Sequence, residues 1–257
     1  MKKTLNRRQY KIYNLLKIEE DVKVNDLAKK FNVAEMTIRR DLEKLEDQGL
    51  VKRTFGGAIL SANTDITFNH RKTLYVKEKQ SIGYSAAQYI QNGDSIFVDA
   101  GTTTSHLPRY LSNNLAISLV TNGVNIVSHI HDSNKEKILL GGIYRDSTRS
   151  LVGPITQSHL ENLYFDKAFL SASGFSVEKG FTNSNSLEVQ IKQKVMKQSN
   201  EVNLLIDSSK FEKNYLHKIG DLHDIHRIFT EKMPPDSQKI VIKKLGVELV
   251  ICDSFLQ

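Results

Sequence analysis

The chain has 257 residues, 39% apolar and 25% charged, enough to bury one large core or a small domain beside a medium one. Its formal net charge of +7 is concentrated at the start: residues 1–57 carry 14 Lys and Arg against 9 Asp and Glu, and residues 58–257 carry 22 against 20. A single cysteine, Cys252, excludes an intramolecular disulfide and any multi-cysteine metal site, and no stretch approaches the ~18 apolar residues of a membrane-spanning helix, so a soluble cytoplasmic protein is expected.

Concentrated positive charge favours a polyanion, because neutralising phosphates releases condensed counterions. Asn6 is placed to cap a helix running to about Ile18, with Ile12, Leu15 and Leu16 on one face. Val22 to Val24 suits a very short strand, and Asn25 is expected to cap a second helix that turns Leu27, Ala28 and Phe31 inward. Asn32 and Val33 make the turn into a third helix, where Ile38, Leu42 and Leu45 share one face. Met36, Arg40, Glu43 and Asp47 point the other way, with Thr37 and Arg39 on the flanks.

Charge order along this third helix is reversed relative to its dipole. Arg39 and Arg40 come early and Glu43, Glu46 and Asp47 late, whereas stability alone favours anions first and cations last. A helix whose first half enters a DNA groove and whose second half rises away from the phosphates needs this order. Gly49 is expected to end the helix, and residues 50–53 and 58–61 to form a hairpin wing through Thr54 to Gly57, carrying Lys52 and Arg53. Residues 1–58 therefore read as a winged helix-turn-helix domain for double-stranded DNA, with Met36, Thr37, Arg39, Arg40, Lys52 and Arg53 as its contacts.

Residues 59–69 are polar and aperiodic and read as a linker. Across residues 70–257 short apolar runs alternate with helical stretches. Strands are expected at 95–100, 116–122, 137–142, 167–173, 201–207, 226–231 and 247–252. Helices are expected at 77–91, 103–111, 123–131, 155–163, 188–198 and 236–245. Such alternation implies an α/β domain with a mostly parallel sheet covered on both faces.

Ligands of open α/β sheets bind beyond the carboxyl ends of the strands. Here those ends are polar and glycine-rich. Asp99, Gly101, Thr102, Thr103 and Thr104 close one strand and open a helix, an arrangement suited to an anion cradle. Other ends bring Thr121 and Asn122, Gly142 with Arg145, Gly174, and Asp207 with Lys210. Arg145 and Lys210 suit a phosphate, and Asp99, Asp207 and Glu188 suit sugar hydroxyls, so a small anionic polyol is the expected ligand.

No lysine follows the glycine as in a phosphate-binding nucleotide loop, and no dinucleotide fingerprint is present. The eight histidines, among them His129, His131, His217, His223 and His226, form no metal-binding pattern, so neither metal nor cofactor is expected. The same carboxylates and lysine also suit a sugar-phosphate isomerase with an appended DNA-binding arm, using Asp99, Asp207 or Glu188 as base and Lys210 as its electrostatic partner.

Several of these segments resemble the DeoR-type repressor family. The family's T-I-R-R-D-L helix stands at Thr37 to Leu42, its L-E-x-x-G ending at Leu45, Glu46 and Gly49, and its wing at Arg53, Gly56, Gly57 and Ala58. Its D-x-G-T-T-T, T-N, L-x-G-G-x-x-R and D-S-S-K-F segments have counterparts around Asp99, Thr121, Leu140 and Asp207. Two positions depart from the pattern: Ala34 replaces a common serine and Phe55 replaces the wing histidine. The resemblance implies a bacterial regulator of sugar metabolism, usually a repressor. It also implies a second domain that looks like a sugar-phosphate isomerase and senses a phosphorylated sugar, and binding to a repeated or palindromic operator as a homodimer or homotetramer is expected.

Overall fold

The computed structural model describes residues 5–19, 21–48, 50–54, 56–60, 68–128 and 135–253. Contacts divide the chain into two compact units, Met1–Ile66 and Thr67–Gln257. In the first, α1 (Arg7–Glu19) is followed by β1 (Asp21–Lys23), α2 (Val24–Phe31), α3 (Glu35–Asp47), β2 (Val51–Thr54) and β3 (Gly57–Leu60). The Asn6 side chain accepts the N–H groups of Arg8 at 3.0 Å and Gln9 at 2.9 Å, and Gln9 Oε1 accepts the Asn6 N–H at 3.0 Å, so the helix start is capped reciprocally.

Asn25 does not cap the second helix. Lys23 is still paired with Gly57 in the sheet, so α2 begins at the next residue and Asn25 lies inside it. The strands order as β1-β3-β2, all antiparallel, and a Cβ on Gly57 would stand 1.8 Å from the Val22 carbonyl oxygen, so only glycine lets β1 pass this closely. Ile12, Leu16, Leu27, Ile38, Leu42, Leu45 and Val51 form the core of this unit. The expectations placed on Gly49 and Phe55 lie outside the described residues.

The second unit opens with α4 (Phe68–Thr73) and α5 (Val76–Ala87), then β4 (Ser95–Val98), a 3-10 helix (Thr104–Tyr110), β5 (Ile117–Thr121), α6 (Val124–Val127) and β6 (Lys135–Leu139). Next come β7 (Ile143–Arg145), β8 (Ser150–Val152), α7 (Pro154–His159), β9 (Phe165–Leu170), β10 (Gly174–Ser176), β11 (Gly180–Asn183), α8 (Ser186–Lys197) and β12 (Ser199–Leu205). After a 3-10 turn (Ser208–Lys210) the chain adds β13 (His217–Gly220), β14 (Arg227–Thr230), α9 (Asp236–Lys244) and β15 (Glu248–Ile251).

Seven strands form one all-parallel sheet in the order β15-β14-β12-β9-β4-β5-β6. Connections run outward one way from β4 and the other way from β9, so the topological switch point lies between these neighbours. Alternate residues serve opposite faces: Ile96 and Val98 join a core with Ile82, Ala86 and Leu107, while Phe97 joins another with Val189, Val195 and Ile242. Burial on both faces is why the strands read as continuous apolar runs. Cys252 is part of the first of these cores, and burial pushes its thiol up to about 11, in keeping with a packing role.

Several elements differ from the sequence reading. The helix expected after Asp99 is 3-10, with Pro108 inside it removing a backbone donor. The antiparallel pair β7-β8 and the sheet β10-β11-β13 were not expected, since strands of three or four residues carry too little periodicity to register. The stretch expected to link the units is shorter than 59–69, because β3 includes Ile59 and Leu60 while α4 begins at Phe68, whose ring is buried.

Candidate functional site

On α3, Ile38, Leu42 and Leu45 face the core and leave Met36, at 60% exposure, and Arg40 on the open face. Thr37 and Arg39 are half-buried, and Arg39 lies 3.6 Å from Glu35 one turn earlier. Lys52 and Arg53 are exposed on β2, and Glu46 accepts the Arg53 N–H at 2.8 Å, so the wing is fastened to the end of α3. Sequence reasoning missed Asp41. It is buried and accepts from Arg8 Nε at 2.5 Å and Gln9 Nε2 at 3.0 Å, tying α3 to α1 and fixing the angle at which the exposed face is presented.

In the second unit a small polar cleft opens beyond the carboxyl ends of β4 and β9, at the switch point. Its lining includes Asp99 and Gly101 after β4, Ser171 and Ser173 after β9, and Glu188 and Lys192 from α8. Arg71 of α4, Thr148 and Asn183 complete the polar wall. The Asp99 carboxylate accepts the Ser171 hydroxyl at 2.7 Å and N–H at 3.2 Å, and pairs with Lys192 Nζ, which also donates to the Ser171 carbonyl at 2.9 Å. Both side chains of that pair are nearly inaccessible, so each depends on the other for compensation.

Glu188 occupies the first turn of α8, which Asn185 caps by accepting the N–H groups of Leu187 and Glu188. Its carboxylate accepts Ser150 Oγ at 2.9 Å and Asn183 Nδ2 at 3.1 Å, with Arg145 Nε 4.0 Å away. Gly101 is held by close packing, since an added Cβ would meet Ser171 Oγ at 2.1 Å. The cleft thus presents carboxylate lone pairs and hydroxyls beside cations, the functional groups a charged polyol needs.

Of the thirteen residues expected to hold the ligand, Asp99, Gly101 and Glu188 line this cleft. Thr102, Thr103 and Thr104 are buried behind it, and the Thr104 hydroxyl is spent on the carbonyls of Asp99 and Gly101. Thr121 bonds Val98, and Asn122 bonds Leu151, which tie β5 to its neighbours. Gly142 and Gly174 make close backbone approaches elsewhere, and Arg145 stands beside the cleft through Glu188 and Ser147. Asp207 is fully buried and caps the 3-10 turn that carries Lys210, outside the lining.

Near Asp207 lies a residue that sequence reasoning passed over. Lys79 is 2% exposed, and its Nζ donates to the carbonyls of Arg71 at 2.6 Å and Leu74 at 2.8 Å, closing the end of α4. Burial pulls its ammonium down from 10.5 to about 8; the charge of Asp207 opposes this and those of Lys210 and Arg71 add to it. Its signal in the sequence is a lysine in register with inward-facing Ile82 and Ala86 on α5. Lys192 had a signal too, standing four residues after Glu188 on one helix face, whereas nothing local marks Arg71. Among the described histidines, His223 sits with Asp221 and Asp224, their candidate ligand atoms within 4.8 Å, but Asp221 pairs with Lys218 and Asp224 accepts the Asp221 N–H.

Comparison with known proteins fits both units. The DeoR-like helix-turn-helix domain matches residues 8–64 and the DeoR C terminal sensor domain matches residues 75–232. The chain belongs to the DeoR family. It is 34% identical over 243 residues to the HTH-type transcriptional regulator YulB of Bacillus subtilis (strain 168), covering 92% of this chain and 93% of that one. It is 30% identical over 243 residues to the glycerol-3-phosphate regulon repressor of Escherichia coli (strain K12), covering 94% and 96%. Among solved structures, a D-ribose-5-phosphate isomerase in complex with phospho-erythronic acid aligns with a TM-score of 0.37 at 14% identity, over 65% of this chain and 64% of that one. As a DeoR-family member the chain is a DNA-binding transcriptional regulator; α2, α3 and the β2-β3 hairpin lie in the part that matches the helix-turn-helix domain, and all of the cleft lining except Arg71 lies in the part that matches the sensor domain.

Proposed function

We propose that this regulator represses a sugar-metabolism operon and senses a phosphorylated sugar in the cleft between β4 and β9. The observation that carries the reading is the pair of buried carboxylates, Asp99 and Glu188, held by serine and asparagine donors at the switch point of a parallel sheet. Asp99 and Glu188 accept sugar hydroxyls, Gly101 allows close approach, and the surrounding cations attract the phosphate. Met36, Thr37, Arg39 and Arg40 face the major groove, and Lys52 and Arg53 hold phosphates beside it. A homodimer or homotetramer in the cytoplasm engages a repeated operator. The name of the Escherichia coli relative, a glycerol-3-phosphate regulon repressor, supports a phosphorylated effector.

Thermal shift against pentose and hexose phosphates, each paired with its unphosphorylated sugar, tests the sensor. Gel shift with DNA upstream of the protein's own gene, with and without the phosphorylated sugar that raises the melting temperature, tests the coupling. A melting temperature indifferent to the whole panel refutes the effector reading, and turnover of a sugar phosphate by the full chain points to isomerase chemistry instead.

A further inference from the structure

Within the cleft lining two cations are present, and they are in different situations. Lys192 is committed to Asp99 and the Ser171 carbonyl. Arg71 forms no ion pair among the described residues, and its Nε is buried without a hydrogen-bond partner while its side chain lines the cleft. A buried guanidinium nitrogen left unsatisfied is costly, and it is resolved by a ligand that brings acceptors.

We propose that Arg71 is the residue that binds the phosphate of the effector, which makes α4 a part of the sensor site. The inference rests on the effector reading above and names the anchor that reading leaves open. A planar guanidinium meets phosphate oxygens in a bidentate fork, a geometry a lysine lacks.

The surroundings of Arg71 hold it for this task. The backbone at Phe68 donates to the Ser147 carbonyl at 2.7 Å, Arg149 donates to Asn69 at 2.8 Å, and the Arg149 guanidinium stands 5.3 Å from the Phe68 ring centre. Lys79 fixes the Arg71 carbonyl itself. The helix is therefore pinned at both ends, to the β7-β8 turn and to α5. Lys79 feels the charges of Arg71 and Lys210, with the carboxylates of Asp207 and Glu78 opposing them, so three cations and two carboxylates meet at this end of α4. Among the described residues, α4 is the first helix after the DNA-binding unit.

The test uses the full chain and its Arg71→Gln and Arg71→Lys variants, titrated by calorimetry with pentose 5-phosphates, hexose 6-phosphates and the matching unphosphorylated sugars. Arg71→Gln weakens the best phosphorylated probe about 10- to 100-fold, the worth of a charge-assisted bidentate contact, and leaves the unphosphorylated sugar unchanged. Arg71→Lys, which keeps the charge and loses the fork, falls between and carries the test if the glutamine variant does not fold. Wild-type affinity for the phosphorylated probe in these variants, or equal losses for both forms of the sugar, overturns the assignment and leaves the effector reading standing. A wild-type chain that binds no phosphorylated probe overturns both.

Discussion

Replacing Lys79 with methionine removes an ammonium held between the end of α4 and the buried carboxylate of Asp207. The folded protein lowers this group from 10.5 to about 8, and each unit of difference is worth about 1.4 kcal/mol, so roughly 3 kcal/mol is at stake. Below pH 8 both folded and unfolded chains carry the proton, and the fold bears the whole cost of the buried charge. Between 8 and 10.5 the unfolded chain holds a proton that the folded one has released, so stability rises with pH; above 10.5 the cost is gone.

Lys79→Met cannot titrate, and every other group is common to both proteins. The stability of wild type relative to the variant should therefore climb by about 2 kcal/mol from pH 7.5 to 9.5, read from urea unfolding of the second unit at several pH values. The two carbonyls that lose their donor shift the variant by a pH-independent offset and leave the slope intact. A difference flat across this range would mean that Lys79 does not titrate there. The same flat result follows if attraction to Asp207 outweighs burial, since a folded value above 10.5 leaves the proton bound in both states throughout this range, and it refutes the reasoning.

Arg40→Ala removes an exposed cation from the open face of α3 and should weaken operator binding by about 1–3 kcal/mol in a gel-shift titration. Unchanged affinity would remove α3 from the interface. Lys192→Met leaves the Asp99 carboxylate buried without its cation and should cost about 3–5 kcal/mol in chemical unfolding, most of it recovered in the Asp99→Asn, Lys192→Met double variant; simple additivity would count against a coupled pair. Ala34 begins α3 without a side-chain cap, so Ala34→Ser should raise the stability of the first unit by about 1 kcal/mol, measured by thermal unfolding.

Much of the architecture is legible along the chain because periodicity records which side of an element is apolar. Ile38, Leu42 and Leu45 mark the inner face of α3 and thereby leave Met36 and Arg40 outside, and the continuous runs at 95–98 and 165–170 mark strands covered on both faces. Asp99, Gly101 and Glu188 were accessible to the same reasoning, since strand ends and first helical turns are where an α/β protein keeps polar groups. Short antiparallel strands such as β7 and β8 were not, because three residues define no period.

The strand order was decided by tertiary structure alone. Period-2 and 3.6-residue patterns describe one element against an unspecified partner, whereas the pairing of β9 with β4 across seventy-odd residues is a choice among many neighbours, settled by packing. That choice creates the switch point and brings Lys192 to Asp99 from 93 positions away. It also brings Arg71 and Lys79 to the polar ends of the sheet, where two residues that look like ordinary surface cations in the sequence become a cleft wall and a buried clamp. Charge and spacing along the chain determined that this protein is a helix-turn-helix DNA-binding regulator with an exposed polar face on α3; which cations meet in the sensor cleft depended on contacts that no local pattern encodes.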